Sequence, residues 1–462
     1  MNIGKRIIRR TSGFLVCASF LLCTIAHGAE VPEAVKDIVR ARVDDGKTMG
    51  MVIGVVDATG AAYFGYGKVA ASGNETPDKD SVFEIGSISK VFTAILLADA
   101  VNRGEVKYSD TIEAHLPDNV KVPTKDGKSI TLEHLSVQTS GLPRMPNNFA
   151  PKDPNNPFAD YMPEDLYEFL ESVELKRGVG EAYAYSNVGV GLLVHILELA
   201  SGVSYETLVV DRIAKVIGMP DTAITFSDDM LARLAKGHQG MKEVANWDLA
   251  VLAGAGAIRS TAQDMLAFLE ANLGLRETLL LEAMRETHMS RAKAGSEYME
   301  IGLGWHIRLT QNGNKVYWHN GGTGGYRSFA GFVQDPALGV VVLTNSGGEG
   351  DDDIGFHVLD DSLPMKNSVE RVEVMLNTSI LNRYVGKYEL RPGAILTIDR
   401  KGNQLGAQLT GQGRNPIFPE SETEFFLKVV DAQLSFILDD EGSTTKLVLH
   451  QGGLNIDAKK IE

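Results

Sequence analysis

The chain has 462 residues, enough for one to three domains. Its 44% hydrophobic and 23% charged content excludes disorder as the dominant state. With 45 Lys and Arg against 60 Asp and Glu, a net charge of -15 argues against nucleic acid or an anionic membrane as partner, and two cysteines exclude a disulfide framework or a thiolate metal site.

Lys5, Arg6, Arg9 and Arg10, then an apolar run from Phe14 to Ala26 and small residues at Ala26-His27-Gly28-Ala29, form the pattern of a secretory signal peptide over residues 1–29. Both cysteines, Cys17 and Cys23, fall inside it. Without it the chain holds 41 basic and 60 acidic residues, a net charge of -19. An exported, periplasmic or secreted protein with no stable membrane span after cleavage is expected.

Residues 50–69 alternate around Asp57-Ala58-Thr59-Gly60 and predict a β-hairpin. Ile88, Val91, Phe92, Ile95, Leu96, Ala98 and Val101 predict a buried helix over 87–104. The stretch 143–163 carries six of the 16 prolines; it predicts an irregular loop of the kind that serves as a lid or binding loop. A second buried helix is predicted over 186–201. Arg259-Ser260-Thr261 predicts entry into a capped helix. Glu349 to Asp353 reads as a solvated acidic loop. Strands are predicted at Lys315–Trp318, Arg327–Val333 and Val340–Thr344. Strands from both ends of the chain with helices between them argue for one α+β sheet covered by a helical region. After residue 380, strands at Tyr384–Glu389, Ala394–Asp399, Leu405–Leu409, Glu424–Val430, Leu434–Leu438 and Lys446–His450 predict a small antiparallel barrel.

Three Ser-x-x-Lys sequences occur, at Ser87, Ser290 and Ser443. Only Ser87-Ile88-Ser89-Lys90 opens an apolar helix. There Ser87 and Lys90 share a face, burial lowers the lysine pKa, and the helix N-terminus favours negative charge at the serine. An N-cap serine with a surface lysine is the structural alternative. Tyr185-Ser186-Asn187 is the sole Tyr-x-Asn among thirteen tyrosines. A tyrosine beside a lysine titrates low enough to act as a base, and Asn187 offers both a donor and an acceptor to a substrate amide. A capping asparagine after a packed tyrosine is the alternative. His319-Asn320-Gly321-Gly322 follows the predicted strand Lys315–Trp318. Its glycines let backbone approach a ligand, and an edge strand there would hold an acyl substrate; a hairpin turn is the alternative.

In this order and spacing, with Thr139-Ser140-Gly141-Leu142-Pro143 and Ala253-Gly254-Ala255-Gly256 in support, the chain resembles the penicillin-recognising serine hydrolases. These include class C β-lactamases, D-Ala-D-Ala peptidases and esterases of the same fold. The resemblance covers residues 35–350. It implies a β-lactamase/transpeptidase-like fold and an acyl-enzyme mechanism. Ser87 would be the nucleophile, Lys90 and Tyr185 the proton carriers, and Asn187, His319, Gly321 and Gly322 the substrate-binding residues. The Ser87 and Gly322 N–H groups would form the oxyanion hole, with no metal or organic cofactor. The implied substrate is a small molecule or peptide: a β-lactam, a D-alanyl peptide or an ester. Where many relatives carry Lys-Thr-Gly, this chain has His319-Asn320-Gly321, which removes a fixed cation and weakens the case for carboxylate-bearing substrates. Gln138 stands where related sequences often carry His. The tail resembles a lipocalin-like barrel, too small to hold much ligand; it would shape the cleft, support oligomer contacts or simply stabilise. The expected division is 1–29 signal peptide, 30–365 hydrolase domain, 366–379 linker and 380–462 barrel. An esterase with the same machinery and a non-catalytic penicillin-binding sensor are the competing readings.

Overall fold

The computed structural model describes residues 28–310, 313–348, 350–366, 373–391, 393–427, 432–439, 441–451 and 454–462. The expected signal peptide, apart from Gly28 and Ala29, lies outside the described residues, as does part of the expected linker.

Helix α1 (Glu33–Asp44) leads into β1 (Gly50–Asp57) and β2 (Gly60–Gly67). The Asp57 carboxylate accepts from Thr59 N–H at 2.6 Å and closes the expected hairpin. Helix α2 (Ser89–Asn102) is apolar on all sides, and so is buried. Helix α3 (Asn187–Ser201) is capped by Ser186, and α4 (Ala262–Leu273) by Thr261. Then come β3 (Ala292–Lys293), β4 (Met299–Ile301), β5 (His306–Leu309), β6 (Lys315–Gly322), β7 (Arg327–Val333), β8 (Leu338–Thr344) and helix α5 (Asp352–Leu359).

These strands form one antiparallel sheet in the order β2-β1-β8-β7-β6-β5-β4-β3, joining N- and C-terminal segments as expected. Successive side chains point to opposite faces. Val52, Val56, Val341 and Leu343 pack under α2, α4 and the helical region, with Phe92 stacked on Phe268 at 4.3 Å. Met51, Ile53, Val340 and Val342 pack under α1 and α5. The acidic stretch before and in α5 is not a solvated loop. Asp351 and Asp353 accept from Arg42 of α1 at 2.6 and 2.5 Å, and Asp352 accepts from Asn320 at 2.5 Å. Buried carboxylates of this kind stay only because each has a donor; burial still pushes Asp352 up to about 6.

Helix α6 (Thr378–Tyr384) precedes a closed antiparallel barrel of eight strands, β9 (Gly386–Arg391), β10 (Ala394–Lys401), β11 (Gln404–Leu409), β12 (Asn415–Pro419), β13 (Glu424–Leu427), β14 (Ala432–Leu438), β15 (Thr444–Gln451) and β16 (Leu454–Lys460). Strands β12 and β16 are additional to those expected, and Tyr384 belongs to α6 rather than to a strand. Tyr384 stacks on Phe436 at 4.4 Å and donates to Glu422 O at 2.7 Å. Together with Tyr388, Ile398, Phe425 and Leu447 it fills the barrel. Among the described residues no single helix is long and apolar enough to cross a membrane.

Candidate active site

Ser87 sits in a single 3-10 turn, Gly86–Ile88, that opens α2. Lys90 follows within one turn of chain and is only 2% exposed, which disposes of the surface-lysine alternative. Its Nζ donates to Ser87 Oγ at 3.0 Å and to Ala255 O at 2.6 Å. Burial, reinforced by the nearby Arg144 guanidinium, holds it well below the usual lysine range. Desolvation disfavours the charged form, and among the described residues no carboxylate offsets it.

Lys90 Nζ also lies 4.8 Å from the centre of the Tyr185 ring. Burial pushes the Tyr185 phenol up to about 12, outweighing its hydrogen bond with Ser87 and the charge of Arg144. This corrects the expected low-titrating tyrosine: with burial the largest influence, the Tyr185 phenol keeps its proton at pH 7. Asn187 is the first residue of α3, one past the cap. Its Nδ2 meets only Met145 Sδ at 3.5 Å, and its buried Oδ1 has no partner among the described residues. An amide left this free is available to a substrate.

Gln138 holds this segment from both sides. Its backbone oxygen accepts from Ala184 N at 2.7 Å, and its Oε1 accepts from Ser186 N at 2.6 Å. It does so from a left-handed backbone, φ 61°.

The third segment differs from expectation. Strand β6 does not stop at Trp318 but runs through His319, Asn320 and Gly321 to Gly322, so the glycines are strand residues and not a hairpin turn. Thr323 N–H donates to Tyr326 O at 3.1 Å. Alternation along an antiparallel ladder therefore turns the N–H groups of Asn320 and Gly322 away from β7. On that side β5 ends at His306, opposite Trp318. Residues 319–322 are thus a local edge within an interior strand.

The turn bearing Ser87 comes up against this edge. A Cβ on Gly321 would lie 2.0 Å from Ile85 O, and one on Gly86 would lie 2.6 Å from Gly322 N. Gly86 has φ 51°, a left-handed conformation that suits glycine. Ser328 Oγ, across from Gly321, donates to Ile85 O at 2.8 Å and pins the contact. The His319 ring is 2% exposed and 6.3 Å from Tyr185, and its Nδ1 lies 2.6 Å from Asn320 O. Burial, with His306 and Lys90 close by, holds it well below the usual histidine range, so it is neutral.

Two residues at the site went unread in the sequence. His306 lies 5.0 Å from His319, faces Tyr185 at 6.5 Å and bonds Tyr183 Oη at 2.8 Å. Burial and Lys90 push it down to about 4. A lone histidine starting a short strand carries no pattern. Arg144 lies over the Tyr185 ring at 4.9 Å; its signal was its place directly after Leu142-Pro143. The proline-rich loop behind it is tied down. Asn156 and Asp248 exchange bonds of 2.9 and 2.8 Å, and Phe158 packs on Trp247 at 5.1 Å.

A family model described as Beta-lactamase matches residues 35–361, and one described as a domain of unknown function (DUF3471) matches residues 370–462. The D-alanyl-D-alanine-carboxypeptidase/endopeptidase AmpH of Escherichia coli is 30% identical over 353 residues, 72% of this chain and 90% of that protein. Penicillin-binding protein 4* of Bacillus subtilis is 25% identical over 84% of this chain and 89% of its own length. Among solved structures, an octameric penicillin-binding protein homologue from Pyrococcus abyssi shares the fold over 92% of this chain and 99% of its own, with TM-score 0.65 at 22% identity. A β-lactamase/D-alanine carboxypeptidase from Yersinia pestis does so over 68% and 92%, with TM-score 0.60 at 25% identity.

Proposed function

The chain belongs to the β-lactamase family, and from that premise we propose that it is a serine hydrolase that opens an amide, in a β-lactam or a D-amino-acid peptide, through an acyl-enzyme on Ser87. One observation carries this reading: a buried lysine, depressed in pKa, within hydrogen-bond distance of the serine oxygen. As Ser87 Oγ bonds to the carbonyl carbon, its proton passes to the neutral Lys90 amine. The N–H groups of Ser87 and Gly322 receive the developing oxyanion. When the C–N bond breaks, the proton returns from Lys90 through the Tyr185 hydroxyl to the leaving nitrogen. Water then attacks the acyl carbonyl and gives a proton back to the same pair, and Ser87 leaves as a hydroxyl. Asn187 orients the substrate amide, and His319 lines the strand side.

An esterase with the same machinery is the second reading. The neutral His319, standing where a fixed lysine charge would otherwise be, favours it. We also propose export, on the pattern of residues 1–29, and a hydrolase unit through residue 365 followed by a barrel unit. The barrel unit takes in α6, whose Leu381 and Tyr384 lie in the barrel core.

The test is steady-state hydrolysis of nitrocefin, a D-Ala-D-Ala peptide and p-nitrophenyl butyrate by wild type and Ser87→Ala. Loss of turnover in the variant, with fluorophosphonate labelling confined to Ser87, is expected. The ranking of kcat/KM separates amidase from esterase. Undiminished turnover by Ser87→Ala would overturn the reading.

A further inference from the structure

We propose that Arg144 is the anion anchor of this site, the residue that holds a carboxylate standing beside the bond that is opened. This rests on the hydrolase reading above and adds a specificity-determining residue to it. The strand position where a lysine would supply the cation holds His319, which is buried and neutral. Arg144 supplies a guanidinium 4.9 Å from the centre of the Tyr185 ring, whose hydroxyl bonds Ser87.

Its backbone is fixed to the site. Pro143 O accepts from Ser186 Oγ at 2.7 Å, and Arg144 O accepts from Asn187 N at 2.9 Å. The residue is exposed, and no ion pair or hydrogen bond engages its side chain among the described residues. Other arginines among the described residues are arranged differently: Arg42, Arg233, Arg276 and Arg291 each hold a carboxylate. A guanidinium keeps its charge at any working pH and takes a carboxylate through two parallel bonds. The unpartnered Oδ1 of Asn187, one backbone bond from Arg144, adds an acceptor for the amide N–H of the same substrate.

The test compares an ester depsipeptide whose leaving 2-hydroxy acid bears a free carboxylate with the same compound amidated at that carboxylate. Such esters suit an amidase and an esterase alike. The ratio of kcat/KM, anionic over neutral, is measured in wild type, Arg144→Gln and Arg144→Lys. Wild type should favour the anionic compound. Arg144→Gln should lower the ratio about tenfold or more, through KM of the anionic compound, and Arg144→Lys should restore part of it. An unchanged ratio in Arg144→Gln overturns the anchor. So does an equal fall for both compounds with a shifted pH profile, which would mean that Arg144 acts only through Lys90. Turnover of neither compound by a protein whose Ser87 takes the fluorophosphonate label rejects this substrate class. Turnover of neither without labelling overturns the hydrolase reading, and the anchor with it.

Discussion

Gly86→Ala tests whether the close approach of the Ser87 turn to β6 is part of the machinery. The new Cβ would sit 2.6 Å from Gly322 N, and 3.2 Å from both Gly321 C and Gly322 C. All three are backbone atoms, so no side chain can swing aside. Ordinary contact begins near 3.4 Å, so strand and turn must part by roughly 0.8 Å. An alanine at φ 51° adds about 1–2 kcal/mol of backbone strain. Ser87, Lys90 and Tyr185 keep their identities, and only the spacing of the two proposed oxyanion donors changes. A misplacement approaching 1 Å costs on the order of 100-fold, and a lost oxyanion donor about 100- to 1,000-fold in kcat. The expectation is therefore a fall in kcat of about 100-fold or more, a slower fluorophosphonate reaction at Ser87 and a modest loss of stability. Turnover of the best chromogenic substrate, labelling rate and urea unfolding measure the three. A folded variant with kcat within about threefold of wild type would refute the reasoning, because the N–H pair would then contribute little to the transition state.

Lys90→Met keeps the volume and removes the proton acceptor; acylation should slow by about 100- to 10,000-fold while circular dichroism stays native. Gln138→Ala leaves the Ser186 N–H without its acceptor and should cost about 1–3 kcal/mol in urea unfolding, with a loss of kcat that tracks the loosened Tyr185 segment. Burial pushes His288 down to about 3, against 6.5 for a free histidine. The unfolded chain therefore gains a proton first, and stability is full above pH 6.5 and falls as the pH drops. Between pH 6.5 and pH 5 this one residue should account for about 2 kcal/mol of lost stability. His288→Gln should shrink the pH dependence by that amount in paired unfolding curves at the two pH values.

Legibility followed the range of the physics. The hairpin β1–β2 was readable because alternation and the turn residues Asp57-Ala58-Thr59-Gly60 are local signals, and α2 because its apolar spacing is local too. Strand β12 was hidden by Pro416 and Pro419, which usually mark loops; in a barrel the proline at a strand end is tolerated. Tyr384 was read as the start of the strand run Tyr384–Glu389, whereas it ends a helix that the Asn377 side chain caps. The end of β6 was misread for a long-range reason. Gly321 and Gly322 look like a turn, but a side chain on Gly321 would run into the backbone of Ile85, more than 200 residues earlier, and one on Gly322 would crowd the Arg327 side chain. His306 gave no signal, since its role exists only where β5 stops beside Tyr185 and His319.

The corrected pKa of Tyr185 shows the limit most clearly. Residue identity placed a lysine, a tyrosine and a histidine together, and each of the three can serve as a base. Which one does so depends on desolvation, and desolvation acts in opposite directions on the three groups. It lowers Lys90 and His319 and raises Tyr185, favouring the uncharged form of each. With no carboxylate paired to Lys90 among the described residues, the site therefore has a ready acceptor, the amine 3.0 Å from Ser87 Oγ. It also has one neutral hydroxyl, able to relay a proton without ionising. The same desolvation leaves the strand side uncharged at His319. Any attraction for an anionic substrate must then come from the exposed rim, where Arg144 is held by the backbone of the Tyr185–Asn187 segment.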